Sequence, residues 1–348
     1  MCKYSQYSQI RNWMSRRFLS YLHCPKKRIF SAVSGPAFNN VLLKIHTDFN
    51  RSADSPPLAL SIGMFDGVHR GHQAILERLK DVAAQQNLET GIISFWPHPR
   101  TVFQPDEPLH LLTILEEKQK LLQKNGLLHL FLKSFDEDFR NLSGEEFVRQ
   151  VLVDKLKVRH LIVGYDHTFG KNKSGNFQLL QELGPELGFT VEQVPVVDFG
   201  ELHISSTQIR NALFNKEVQL ANDMLGYTYA LTGTVVHGRK IGRTIGYPTA
   251  NLEVDPMKLL PGKGAYIVET ELDGKLYKGM LSIGTNPTVN GKQVTVEVYI
   301  LDFDGVIYGK TVTVRFRAFL HEEIAFTTME DLILKLDEDK RLTEAFSF

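Results

Sequence analysis

Short apolar runs alternate with amphipathic helical patterns over residues 58–197, and this alternation constrains the fold more than any other feature. The runs LALSIGMF, TGIISF, LHLFL and HLIVGYD are typical of buried strands. Between the first two runs, apolar residues recur on one face of a helix: Ile75, Leu76, Leu79, Val82 and Ala83. Strands alternating with helices predict an α/β domain with a doubly wound, Rossmann-like parallel sheet, which binds ligands beyond the carboxyl ends of its strands.

Two more helices are predicted in this region. One covers residues 116–124, and the other begins after Ser143, which forms a capping-box pattern with Glu146, and continues to Leu156. The sequence changes after about Asn222 to Thr-, Val- and Tyr-rich runs separated by glycine turns, with an Asn-Gly hairpin signal at residues 290–291. This pattern predicts an antiparallel β-barrel or sandwich, closed by one late helix over residues 329–342.

Composition narrows the class of protein. A chain of 348 residues is long for one domain, so two are expected. The formal net charge is zero, which gives no general basic field for nucleic acid. No apolar run reaches the roughly eighteen residues of a membrane span. Both cysteines, Cys2 and Cys24, precede the predicted domains, which excludes a disulfide framework there and favours a cytoplasmic location.

Residues 1–45 form a basic extension, since no acidic residue precedes Asp48. We expect a disordered tail or read-through from an upstream start codon. An organellar transit peptide is the alternative, because such peptides are also rich in Arg and Ser and poor in acids.

The string GMFDGVHRGH joins the first strand to the first helix. Glycines at a helix start allow the backbone to approach a phosphate, and the free N–H groups there attract an anion. His69 and His72 then become hydrogen-bond donors to a transferring phosphate. A zinc pair is the competing reading, but no third ligand is evident. Asp66 is expected to form the turn, with a link to a nucleotide site as the alternative.

This string resembles the signature of the FAD synthetase branch of the nucleotidyltransferase superfamily. The segments FWPHPR, VGYDHTFGKNKSGN and ISSTQIR resemble three further family motifs, in the same order. The resemblance implies that His69, His72 and Arg210 are catalytic. It implies two groups of binding residues. The ATP and phosphate group comprises Gly63, Phe65, Gly67, Gly71, Ser205, Ser206 and Thr207, and the flavin and nucleotide cleft comprises His98, Arg100, Asp166 and Phe169.

The segment HGRKIGRTIGYPTANL resembles the riboflavin kinase motif. The resemblance implies an ATP loop formed by Gly238, Gly242, Gly246 and Pro248. It also implies Mg²⁺ ligands at Thr249 and Asn251 and a general base at Glu297, a residue that strand alternation alone would place towards solvent. The string LDFDGVIYG mimics a phosphatase nucleophile motif, but too little chain follows it. The family pattern has His where this chain has Tyr299, and Arg where it has His321. These two departures are expected to affect flavin affinity or the kinase rate.

Together these resemblances imply a bifunctional enzyme with an N-terminal nucleotidyltransferase domain (residues 46–222) and a C-terminal riboflavin kinase barrel domain (residues 223–348). It would phosphorylate riboflavin to FMN with ATP and Mg²⁺, then transfer AMP from ATP to FMN, giving FAD and pyrophosphate. Two alternatives are a related nucleotidyltransferase with another acceptor and a flavin-binding regulator without activity. The PTAN motif opposes the first alternative, and the intact motifs oppose the second.

Overall fold

The computed structural model describes residues 42–348 except 101–108, 166, 196, 201, 239, 240, 289 and 290. Six parallel strands form a sheet in the order β1-β4-β3-β2-β5-β6. They are β1 (Lys44–His46), β2 (Leu58–Ile62), β3 (Glu89–Phe95), β4 (His129–Lys133), β5 (Val158–Gly164) and β6 (Thr190–Val194). The helices between them are α1 (Arg70–Gln86), α2 (Leu115–Lys124), α3 (Glu137–Asn141), α4 (Gly144–Glu146) and α5 (Phe177–Leu187). Strands β1–β6 and these helices are called the sheet part.

Alternate residues of β2 supply the two faces of the sheet. Leu58, Leu60 and Ile62 pack with the helical segment Phe147–Lys155 and with α5. Ala59 points the other way, into a second core formed with α1 and α2. Because both faces are covered, the prediction of a doubly wound parallel sheet is confirmed.

The C-terminal strands close into a six-stranded antiparallel barrel in the order β10-β13-β12-β11-β14-β9. The barrel and its helices are called the barrel part. The strands are β9 (Ala230–Val236), β10 (Ala250–Val254), β11 (Gly264–Leu272), β12 (Lys275–Thr288), β13 (Gly291–Ile300) and β14 (Thr311–His321). The short helix α8 (Ile241–Thr244) follows β9, and α9 (Met329–Ala345) ends the chain. The barrel and its late helix are confirmed, and the sandwich alternative is wrong because β9 and β10 also pair.

The connection between the parts contains a short hairpin, β7 (Asp198–Phe199) with β8 (Leu202–His203), and then α6 (Ser206–Phe214) and α7 (Val218–Leu225). Apolar residues of α6 and α7 share one buried core with the barrel strands. Among the described residues, none of the helices is long and apolar enough to cross a membrane.

Two local features differ from the sequence-based expectation. Lys44–His46 forms an edge strand beside β4, which no pattern in the sequence indicated. The Ser143–Glu146 capping box is present, but the helix continues as a π-helix over Phe147–Lys155. Apolar periodicity reports the buried face of a helix and does not distinguish π from α hydrogen bonding.

Candidate active sites

The string GMFDGVHRGH forms a turn from Gly63 to His72, called the histidine turn, at the carboxyl end of the central strand β2. His69 is the N-cap of α1, and Arg70 is the first helical residue. Strand β2 lies between β3 and β5, where the chain changes direction across the sheet. Ligands of open α/β sheets bind at this switch point. The N–H groups of the first turn of α1 are available to an anion there.

The rings of His69 and His72 stack, with centroids 3.7 Å apart and planes 23° apart. Burial lowers the pKa of His69 to about 4, and burial also lowers the pKa of His72 far below its ordinary value. Both rings are therefore neutral at pH 7. Their Nδ1 atoms are buried and have no hydrogen-bond partner among the described residues. Since buried polar atoms are normally paired, these atoms are candidates for contact with a ligand.

The backbone of the histidine turn adopts unusual angles. Gly67 has φ +80, and Phe65 and Val68 have φ of 50° and 36°, which side chains with a Cβ rarely adopt. A Cβ at Gly67 would lie 2.9 Å from Leu112. The Phe65 side chain is buried, and the centroid of its ring lies 4.7 Å from that of His72. Phe65 therefore packs against the imidazole and helps to hold it in place. Backbone strain of this kind is common at functional sites.

The ISSTQIR segment starts a second helix at the same place. Ser205 caps α6 by accepting a hydrogen bond from the backbone N–H of Gln208, at 3.2 Å. Ser206 Oγ donates to the carbonyl of Asp66 at 3.0 Å, and Thr207 is exposed in the first turn of α6. Arg210 Nη2 donates to the carboxylate of Asp66. The structure thus brings the predicted histidines, serines and arginine around one turn.

Asp66 is buried, with 3% of its surface exposed, and it does more than form the turn. Its carboxylate accepts hydrogen bonds from the backbone N–H groups of Leu112 (3.1 Å) and Thr113 (3.0 Å) and pairs with Arg210. These contacts favour the alternative prediction, a link to the nucleotide site.

The predicted flavin cleft adjoins an apolar cavity. Phe169 is in the wall of this cavity, which has a volume of about 510 Å³ and several further aromatic side chains: Phe95, Phe135, Phe139 and Phe147. The backbone N–H of Arg100 donates to Nδ1 of His98 at 3.1 Å. Burial lowers the pKa of His98 to about 4, and the cations of Lys118 and Arg210 contribute to that lowering. Asp166 lies outside the described residues.

Lys118 of α2 lies beside the histidine turn, although the motifs did not include it. Its side chain is buried, and its Nζ donates to the carbonyl of Met64 at 3.0 Å. Burial lowers the pKa of Lys118 to about 8, and the Asp66 carboxylate opposes that lowering. The ammonium therefore brings a buried positive charge to the site. A lysine on the apolar face of a helix, in register with Leu115 and Leu122, is the sequence signal that could have found it.

For the FAD formation that the sequence resemblance implies, we expect Lys118→Met to lower kcat/KM for ATP roughly tenfold to hundredfold, because a buried cation beside the histidine turn would be lost. Steady-state rates with FMN and ATP measure this. Lys120→Met is the matched control, because Lys120 is exposed on the same helix. Equal rates for the two variants would show that the Lys118 charge is not used.

The predicted kinase residues also meet in space. Thr249 Oγ1 donates to Glu297 Oε2 at 3.0 Å. Asn251 lies directly opposite Glu297 on neighbouring antiparallel strands, β10 and β13, so their side chains share one face of the barrel wall. Strand alternation alone had suggested a solvent-facing glutamate, whereas Glu297 is half-buried in the wall of a cavity of about 330 Å³.

The glycine-rich loop folds against this pair. A Cβ at Gly238 would lie 2.1 Å from Asn251 Nδ2, so any other residue at this position would require the Asn251 amide to move. A Cβ at Gly242 would lie 2.1 Å from the carbonyl oxygen of Tyr247, and Gly246 has φ +83°. Pro248 is exposed.

Of the two departures from the family pattern, Tyr299 is in the wall of the same cavity and His321 contacts a residue of that wall. The Tyr299 ring contacts that of Tyr247, with centroids 5.1 Å apart. His321 Nε2 lies 2.8 Å from the carboxylate of Asp339 on α9, and this hydrogen bond raises the pKa of His321. Asp339 is in the cavity wall, so His321 connects the last strand to the helix that covers the cavity.

A histidine turn at the switch point of a doubly wound sheet, followed by a barrel with its own glycine-rich loop and carboxylate, is the arrangement expected of an ATP-dependent transferase with two sites. The chain matches the FAD synthetase family over residues 51–208 and the riboflavin kinase family over residues 225–347.

Two relatives and one solved structure extend these matches. A bifunctional riboflavin kinase/FMN adenylyltransferase of Listeria monocytogenes is 38% identical over 302 residues, which is 86% of this chain and 93% of the relative. The protein of the same name from Pseudomonas fluorescens is 39% identical over 82% of this chain and 92% of its own. A crystal structure named as a macrolide-efflux protein from Streptococcus pneumoniae is 30% identical, with TM-score 0.80, over 87% of this chain and 99% of its own. The chain belongs to the bifunctional riboflavin kinase/FMN adenylyltransferase family.

Proposed function

We propose that the histidine turn transfers AMP from ATP to FMN, giving FAD and pyrophosphate. The observation that carries this proposal is the stacked pair of neutral imidazoles, His69 and His72, whose buried Nδ1 atoms have no partner among the described residues at the start of α1. A phosphate oxygen of FMN attacks the α-phosphorus of ATP as the bond to the β-phosphate breaks. The imidazoles, the N–H groups of α1 and the Arg210 guanidinium stabilise the charge that develops on the phosphates. Positioning suffices, so no covalent enzyme intermediate is required.

The aromatic cavity beside Phe169 suits the isoalloxazine ring of FMN. Rings such as Phe95 and Phe147 offer flat apolar surfaces for stacking. Lys171 and Lys173 also contribute to the cavity wall and attract the FMN phosphate. His98, Arg100 and Asp166 stay predicted contacts of this cleft.

The second activity is assigned to the barrel cavity. The terminal ribityl hydroxyl of riboflavin attacks the γ-phosphorus of ATP, its proton passes to Glu297, and ADP leaves. Positioning carries most of such a phosphoryl transfer, so an ordinary carboxylate serves as the base. The loop containing Gly238, Gly242 and Gly246 is assigned to the ATP phosphates because it packs against Asn251, which lies opposite Glu297, and because Gly242 contributes to the wall of the same cavity as Glu297.

Mg²⁺ fits the oxygen donors of the barrel site. The hydroxyl of Thr249 and the amide oxygen of Asn251 are hard ligands of the kind Mg²⁺ prefers. Among the described residues there is no group of three or more His, Cys, Asp or Glu side chains that could hold a metal ion. An ion shared between one or two side chains and the ATP phosphates accords with both facts. When bound, Mg²⁺ neutralises charge on the transferring phosphates.

The remaining parts of the proposal concern the domain bounds, the location and the partners of the protein. We retain the division at residue 222, which the two family matches support on either side, and we count β1 (Lys44–His46) with the first domain because it pairs with β4. A cytoplasmic location and the absence of a nucleic-acid partner stay predictions, supported by the placement of the cysteines and the zero net charge.

The test is an assay of purified protein with ATP and Mg²⁺, given either riboflavin or FMN, with the flavins separated by chromatography. We expect FMN and then FAD from riboflavin, and FAD from FMN. FMN without FAD would reject adenylyl transfer. Tight flavin binding without turnover would support a regulator instead.

A further inference from the structure

Residues 111–114, called the linking segment, lie between the histidine turn and a loop of the barrel part. The backbone N–H of Leu111 donates to the carbonyl of Met257 at 2.6 Å, and the N–H of Leu259 donates to the carbonyl of Leu111 at 2.8 Å. The linking segment therefore forms a short strand-like pairing with the barrel loop. Its position depends on a part of the chain that follows it by more than a hundred residues.

Lys258 of that loop is the buried charge at this junction, with 4% of its surface exposed. Its Nζ donates to the carbonyl of Leu112 at 2.7 Å and pairs with Glu117 Oε2 at 2.6 Å. The same ammonium lies 4.5 Å from the centre of the Tyr229 ring. A lysine of the barrel part thus makes its polar contacts with the sheet part.

The other side of the same peptide group contacts Asp66. The peptide between Leu112 and Thr113 accepts from Lys258 through its oxygen and donates to Asp66 Oδ1 through its N–H, at 3.0 Å. Asp66 then pairs with Arg210. The Lys258 ammonium, the peptide dipole, the Asp66 carboxylate and the Arg210 guanidinium form a chain of contacts. Each group in this chain attracts the next one electrostatically. Hydrogen bonds arranged in such a buried chain strengthen one another.

We infer that Lys258 is a positioning residue for adenylyl transfer, although it belongs to the barrel part. It fixes the peptide that holds Asp66, and Asp66 fixes Arg210 beside the histidine turn. This inference rests on the function proposed for that turn. Thr249 and Glu297 share none of these hydrogen bonds, so riboflavin phosphorylation does not depend on the chain of contacts.

Removal of the ammonium tests the inference in the full-length enzyme. We expect Lys258→Met to lower kcat for FAD formation from supplied FMN roughly tenfold, because small displacements of charged groups cost about that much. Riboflavin phosphorylation by the same protein should stay within roughly twofold, which also reports that the barrel is folded. Lys275→Met is the matched control, since Lys275 is exposed at a barrel hairpin.

A second variant separates positioning from general stability. Thr113→Val removes the hydroxyl that donates to Asp66 Oδ1 (3.3 Å) and accepts from Gly67 N (3.0 Å). If Lys258 acts through the linking segment, the double variant should lose less than the product of the two single losses. A multiplicative double loss, an unchanged FAD rate in Lys258→Met, or equal loss of both activities would each overturn the inference. His72→Ala distinguishes the proposals: if it makes FAD normally, the function assigned to the histidine turn fails, whatever Lys258→Met does.

Discussion

His72→Ala should abolish measurable FAD formation from FMN and ATP while riboflavin is still converted to FMN. Loss of one hydrogen-bond donor aimed at the developing charge costs ~10²–10³ in kcat. The loss here should be larger, because His72 is also the ring on which His69 stacks. The predicted kinase residues belong to a different set of strands, so the rate of riboflavin phosphorylation should be unchanged.

The comparison is made by following both products in parallel reactions of the same preparation. His160→Ala is the control, since His160 lies near the start of β5, at the opposite end of the sheet, where its Nδ1 contacts Thr190. If His72→Ala lost both activities equally, the two reactions would share a site. If it kept normal FAD formation, the histidine turn would not carry the adenylyl transfer.

The repeating elements were predictable from the sequence because burial follows periodicity. Strand β2 is buried on both faces and reads as the continuous apolar run LALSI, and α1 has its buried side where the apolar residues recur. The glycine turns of the second half likewise separated strands that pair in the barrel. The ISSTQIR segment has two serines, both good N-cap residues, at the start of α6, and Ser205 is the one whose side chain accepts the capping hydrogen bond.

The support of the histidine turn was not predictable in the same way. Asp66 acquires its role from Leu112 and Arg210, which are 46 and 144 residues further along the chain. Such contacts depend on topology, and no local pattern encodes them. The same holds for Lys118, whose meaning depends on the carbonyl of Met64 that it reaches. The family motifs predicted residues that would contact substrate, and they did not predict the contacts that hold those residues in place.

In the kinase reaction, Glu297→Gln is expected to lower kcat for FMN formation by ~10²–10⁴, the contribution typical of a general base. Glutamine preserves the size of the side chain and still accepts the hydrogen bond from Thr249 Oγ1, so the cavity wall is retained. What is removed is the carboxylate that we propose as the acceptor of the proton of the ribityl hydroxyl. FAD formation from supplied FMN should be unchanged, and this measurement shows that the variant is folded.

Glu253→Gln is the control with the same chemical change, because Glu253 is exposed on β10, two residues after Asn251. A loss confined to KM for riboflavin would mean that Glu297 binds the flavin without accepting its proton, since uniform binding affects KM and leaves kcat unchanged. A loss confined to kcat is the outcome that a base requires.

Asn251→Ala should weaken FMN formation while FAD formation from supplied FMN continues. Asn251 lies opposite Glu297 on the barrel wall and has no hydrogen bond to the histidine turn among the described residues.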